Sequence, residues 1–286
     1  MNQEALSGLG FEGAATYSPR VEQETVAQSK NRFPKSRSSF FGYLVRRPLD
    51  YLPDSLNFVF DLVQASLEWQ ILQLSPIYRG EEAPHGEGVV VIVPGFGTAE
   101  VNYGSTAVTL KNLGYEPKVY PLKFVVNAEP VSKMLTDYVA YLVKQKERSG
   151  RKIHVLGHSK GGLVTLAALL RFPEEFNDSV DQVVFLGSPK PEWLNSYVGG
   201  LYLFTQYLFG GDDFKFSSES LDGMDVENID GVRITSIANP GDQVIRGQLV
   251  GSPEDHFLVK SSHAGHLVCA NDLGIVANRL SRPLAA

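Results

Sequence analysis

Cysteine is almost absent: Cys269 stands alone among 286 residues. A single thiol allows no internal disulfide and no cysteine-rich zinc site, and it is compatible with a reducing compartment. Positive charge is in short supply too, with 26 Lys and Arg against 32 Asp and Glu and a formal net charge of −6. Nucleic-acid binding needs clustered Lys and Arg to neutralise phosphates, so it is not expected. No apolar run approaches the length of a membrane-spanning helix. The N-terminus, MNQEALSGLGFEGAATYSPR, lacks the basic start and apolar stretch of a secretory signal. The expected location is therefore cytoplasmic. No internal repeat is evident. None of the six histidines pairs with another at the i,i+4 helical zinc spacing with an accompanying Glu, so neither a metal nor a cofactor is expected.

What is present suits one large α/β domain: 43% hydrophobic and 20% charged residues are enough to bury a full core. Residues 1–50 read as an N-terminal arm and 51–286 as the domain. Up to about residue 29 the arm is polar. From Lys30 to Arg47 it holds six Lys and Arg, no acidic residue, and interleaved Phe33, Phe40, Phe41 and Tyr43. Such a segment either packs along the domain with its charges in water or makes peripheral contact with an anionic membrane. Next comes a predicted helix, capped by Asp54. Its apolar stripe, Leu56, Val59, Val63, Leu67, Ile71 and Leu74, is expected to pack on the domain.

From Val89 to Val93 the chain is continuously β-branched, as a strand covered on both faces requires. Similar runs follow at 153–156, 183–186 and 232–237, with helical patterns at 131–148 and 160–171 between them. Alternating strands and helices predict right-handed crossovers and a doubly wound, mostly parallel sheet. The rhythm breaks between 190 and about 230. There Leu194, Tyr197, Leu201, Phe204 and Leu208 form a stripe between glycine pairs, which reads as an inserted lid or cap.

Between strand and helix lies Gly157-His158-Ser159-Lys160-Gly161-Gly162, a G-x-S-x-G turn in the strand–turn–helix context that makes it a nucleophile elbow. The glycines let the chain reverse where side chains would collide, and the turn lifts the serine oxygen above the sheet. On this motif and its flanks, IHVLGHSKGGLVTLAALL, the sequence resembles the lipase and esterase branch of the α/β-hydrolases over about residues 86–282. The resemblance implies a serine, acid, histidine order along the chain. Asp242, in the turn after the strand 232–237, is the implied acid, and His263, followed by Ala264-Gly265, the implied base. His266 is then structural, and His158 packs beneath the elbow. The implied oxyanion-hole donors are the N–H groups of Lys160 and Phe96, with Gly97 as runner-up. Many relatives have His-Gly where this chain has Pro94-Gly95.

The implied activity is hydrolysis of a small-molecule ester or lipid through an acyl-enzyme. Acyl transfer or thioester hydrolysis by the same triad is an alternative, and a non-catalytic binding protein on this scaffold is another.

Overall fold

The computed structural model describes residues 52–95, 98, 100–121, 131–188, 231–240, 242 and 250–282; for 52–59 and 131 it describes the backbone alone. All of these lie in one compact unit, 34–286. The basic segment 30–47 and the expected lid at 190–230 lie outside the described residues.

The six described strands are all parallel. They are β1 (Val89–Val93), β2 (Glu116–Val119), β3 (Ile153–His158), β4 (Val180–Leu186), β5 (Arg233–Ala238) and β6 (His256–Leu258). Their order in the sheet is β2-β1-β3-β4-β5-β6. The described helices are α1 (Leu52–Leu74), α2 (Gly104–Asn112), α3 (Val131–Ser149), α4 (Lys160–Arg171), α5 (Pro173–Ser179) and α6 (Ala270–Leu280).

β1 shows why the strand is apolar throughout. Val89, Val91 and Val93 enter a core with Tyr138 and Leu142 of α3, Leu163 of α4 and Phe176 of α5. Val90 and Ile92 enter a second core with Leu110 of α2, Leu273 and Val276 of α6, and Leu72 of α1. Successive residues point to opposite faces, and helices cover both, so a polar residue has nowhere to go. Fully burying each such side chain contributes roughly 1.5–3 kcal/mol, an upper estimate.

The register aligns the strand ends. Val93 pairs with Gly157, His158 with Leu186, Leu186 with Ile237, and Ala238 with Leu258. The chain runs from β1 to β2 on one side and then to β3 on the other, so the winding direction changes between β1 and β3. A crevice opens at such a point, at the carboxyl ends of the strands.

α1 departs from expectation in two ways. It starts at Leu52, two residues before the expected cap Asp54. More importantly, the described part of the expected apolar stripe does not face the domain: Val63, Leu67, Ile71 and Leu74 are exposed, while Leu72 is buried; the side chains of Leu56 and Val59 lie outside the description. The helix is held instead through its carboxylates, Asp61 and Glu68, which hydrogen-bond to residues 262–264. Paired polar groups outweigh the apolar periodicity here, because they satisfy backbone N–H groups of a tight loop that have no strand partner.

Candidate active site

The site forms where the strand ends meet. Ser159 follows β3 and opens α4 with φ 52° and ψ −123°, a conformation that side chains rarely adopt. Its N–H donates to the Leu186 carbonyl at 3.0 Å, and its own carbonyl accepts from the Gly162 N–H at 3.0 Å, which pins the turn. Both elbow glycines are sterically required. A Cβ at Gly157 would sit 2.7 Å from the Gly162 Cα, and one at Gly161 would sit 2.0 Å from the Val93 carbonyl oxygen.

Asp242 sits in the turn after β5, where its N–H donates to the Asn239 carbonyl. His263 sits in the loop between β6 and α6. The fold brings the three together although 104 residues separate Ser159 from His263. His263 Nδ1 lies 2.7 Å from Asp242 Oδ2, and His263 Nε2 lies 3.1 Å from Ser159 Oγ. A carboxylate only accepts, so Nδ1 carries the proton and Nε2 offers its lone pair to the serine hydroxyl. The Asp242 side chain is 1% exposed and that of His263 11% exposed, so the pair interacts away from bulk water.

His158 occupies the place expected for it, beneath the elbow. Burial pushes its pKa down to about 3, so it stays neutral. Its Nε2 lies 3.2 Å from the His263 carbonyl and must donate to it. Its Nδ1 therefore accepts from the Tyr103 hydroxyl at 3.1 Å. That hydroxyl in turn accepts the Gly95 N–H at 2.6 Å, and Thr98 Oγ1 lies 2.9 Å from it. One directed chain of hydrogen bonds thus ties the loop after β1, the elbow and the histidine loop together. It also commits the Gly95 N–H, so an oxyanion donor from this loop must lie further along. Phe96 and Gly97 both lie outside the described residues. Lys160 is the first residue of α4, and burial lowers its ammonium pKa to about 8.

The His263 loop is braced from both sides. From α1, Asp61 accepts the N–H of His263 at 2.5 Å and of Ala264 at 3.1 Å, while Glu68 accepts the N–H and hydroxyl of Ser262. From α6, Asp272 holds His266 Nδ1 at 2.6 Å, and both side chains are fully buried. Ser261 Oγ bridges that pair. His266 is thus structural in this geometry, with its ring edge-on to His263 at 6.5 Å between centroids. Of the remaining histidines, His85 and His256 meet backbone carbonyls and His154 lies 3.7 Å from Asp181.

Tyr103, Asp61 and Glu68 escape the sequence reading. A partial signal for the acids is present: they stand seven apart, two turns of the same helix, on an otherwise apolar segment. Tyr103 offers none, because its role depends on two loops remote in sequence.

Residues 126–245 match the family described as the PGAP1-like alpha/beta domain. The match spans less than half the chain; it includes Ser159 and Asp242 and ends before His263. With the parallel sheet and the elbow, it gives the chain the α/β-hydrolase fold that its sequence resembles. Among solved structures, the chain is similar to the metagenomic carboxyl esterase MGS0156, at 14% identity over 67% of this chain and 75% of that one, with a TM-score of 0.49. It is also similar to Bacillus licheniformis lipase BlEst2 in its propeptide form, at 17% identity, 72% and 53% coverage and a TM-score of 0.48. Aspergillus fumigatus lipase B gives 16% identity over 71% of this chain and 54% of that one, with a TM-score of 0.47. The chain spans about half the length of these two lipases. No curated protein matches it by sequence.

Proposed function

We propose that this protein is a serine hydrolase acting on carboxylic esters, small-molecule or lipid, through an acyl-enzyme. The observation that carries the reading is the Ser159–His263–Asp242 hydrogen-bond relay, at 3.1 and 2.7 Å, on a strained elbow. Ser159 Oγ attacks the acyl carbonyl carbon as His263 Nε2 takes its proton. Asp242 holds the imidazole in the tautomer with Nδ1 protonated and stabilises the imidazolium. The N–H groups of Lys160 and Phe96 receive the oxyanion, each worth about 3 kcal/mol of transition-state stabilisation. As the tetrahedral intermediate collapses, His263 returns the proton to the departing alcohol. A water then repeats the sequence, releasing the acid and restoring Ser159. No step calls on a cofactor. In this reading the segment 190–230 is the lid or cap over the acyl pocket, and 1–50 is an arm outside the catalytic domain.

The test is hydrolysis of p-nitrophenyl esters from acetyl to palmitoyl by wild type and by Ser159→Ala. The expected result is a turnover that the substitution abolishes, with a chain-length optimum that separates esterase from lipase. Equal activity of the two proteins contradicts the mechanism. Product released only to an added alcohol or thiol assigns the triad to acyl transfer instead.

A further inference from the structure

α1 is amphipathic in the reverse of the usual sense. Between residues 60 and 74 its only charged side chains are Asp61 and Glu68, and both are spent on the His263 loop. Its outward surface is uncharged and carries large apolar side chains among Gln64, Ser66 and Gln70: Phe60 is 69% exposed, Ile71 63% and Leu74 81%, with Val63 and Leu67 between them. Of the ten large hydrophobic side chains exposed among the described residues, nine lie on α1 or in the stretch 100–112. The two regions are joined. Trp69, half-exposed, donates its indole N–H to Ser105 Oγ at 2.9 Å. Val101 and Val108, both exposed, flank Ser105 at helical spacing. The apolar surface therefore runs from α1 to the segment that follows the Gly95–Thr98 loop, beside the crevice that holds Ser159. A monomer in water gains nothing from a continuous apolar face of this kind.

We propose that this face docks on an anionic lipid bilayer, which brings the crevice to the lipid surface. The proposal deepens the hydrolase reading by naming where its substrate is met. Two observations select lipid. The face carries no charge with which to pair a protein partner's rim, and its tryptophan, polar end satisfied, suits the boundary between headgroups and acyl chains. In addition, the sequence directly before α1 holds six Lys and Arg between residues 30 and 47 and no acidic residue, in a chain whose net charge is −6. Such a segment is complementary to anionic headgroups, and basic residues interleaved with aromatic ones beside an apolar face are the combination that holds a chain at an anionic membrane surface.

The test is sedimentation of the full chain with vesicles of phosphatidylcholine alone and of phosphatidylcholine with phosphatidylserine. It is run for wild type and for Leu67→Glu combined with Ile71→Glu. Both substituted side chains are more than half exposed, so the fold is not at risk. Hydrolysis of p-nitrophenyl acetate, a water-soluble ester, is followed in parallel. Wild type is expected to pellet with the anionic vesicles and less with the neutral ones. The double variant is expected to lose that binding roughly tenfold or more and to keep its turnover of the soluble ester. The proposal is overturned if wild type stays in the supernatant, if the variant pellets equally, or if the two vesicle types are bound alike. It is also overturned if light scattering shows a wild-type dimer that the variant dissolves, which makes the face a contact between two copies. Absent esterase activity with intact vesicle binding defeats the hydrolase reading and leaves the docking surface standing.

Discussion

Tyr103 shows how much a single buried hydroxyl organises. It accepts the Gly95 N–H and donates to His158, whose other nitrogen donates to the His263 carbonyl. Tyr103→Phe leaves the Gly95 N–H and His158 Nδ1 buried without a partner, at about 1–3 kcal/mol each. The variant is expected to unfold at clearly lower denaturant concentration, and its kcat is expected to fall at least tenfold because the loop and the histidine are no longer held in register. Wild-type stability and kcat in this variant contradict the network. Lys160 gives a prediction in pH. Burial lowers its pKa from 10.5 to about 8 in the folded chain. Below about pH 8 both folded and unfolded states hold the proton, and the folded state bears the cost of a buried charge. Between about 8 and 10.5 only the unfolded state holds it, so stability rises with pH through that window. Lys160→Met is therefore expected to lack this rise, so that its stability relative to wild type falls between about pH 8 and 10.5. Denaturant titrations at pH 7 and 10 measure this, and a pH-independent difference contradicts it.

At the scale of elements, α1 takes part in the site although it precedes the first described strand. Asp61 accepts two consecutive N–H groups of the histidine loop. Asp61→Asn keeps one acceptor and turns a donor toward the other N–H, so the loop loses a charge-assisted bond. We expect kcat for a soluble ester to drop roughly tenfold with KM nearly unchanged, since the loop positions the base and does not bind substrate. Unchanged kcat means the contact only fastens the helix. The same element marks where sequence reading runs out. The strands β1, β3, β4 and β5 are legible because two-sided burial writes them as unbroken apolar runs, and α4 is legible from its all-round apolarity. β2, Glu-Pro-Lys-Val, is not: at the sheet edge, with no fully buried residue, it has no reason to be apolar. α1 is legible as a helix but not in its orientation. Periodicity reports which residues share a face, and what that face meets is decided by the loop at 262–264, nearly 200 residues away.

On the scale of the molecule, the fold acts as a gathering device. Parallel strands in register place the turns after β1, β3 and β5 and the loop after β6 at one edge, and the site is composed from those four connections. Ser159, the proposed nucleophile, is legible because that role needs a local turn with a local motif. Asp242 and His263 were legible only through the chain order that the resemblance implies. The geometry now places both within hydrogen-bond distance of their partners, and their roles are those proposed above. The partner network beneath them, from Tyr103 through His158, arises only once the strand ends are assembled.

The most direct test of the central claim is covalent capture. An alkyl fluorophosphonate reacts with a serine only when a neighbouring base activates it and N–H donors receive the phosphoryl oxygen. Intact-mass and peptide analysis of the treated full chain is predicted to show one adduct, on Ser159, that is lost in Ser159→Ala and strongly slowed in His263→Ala. An unmodified chain, or an adduct unaffected by His263→Ala, would contradict the account.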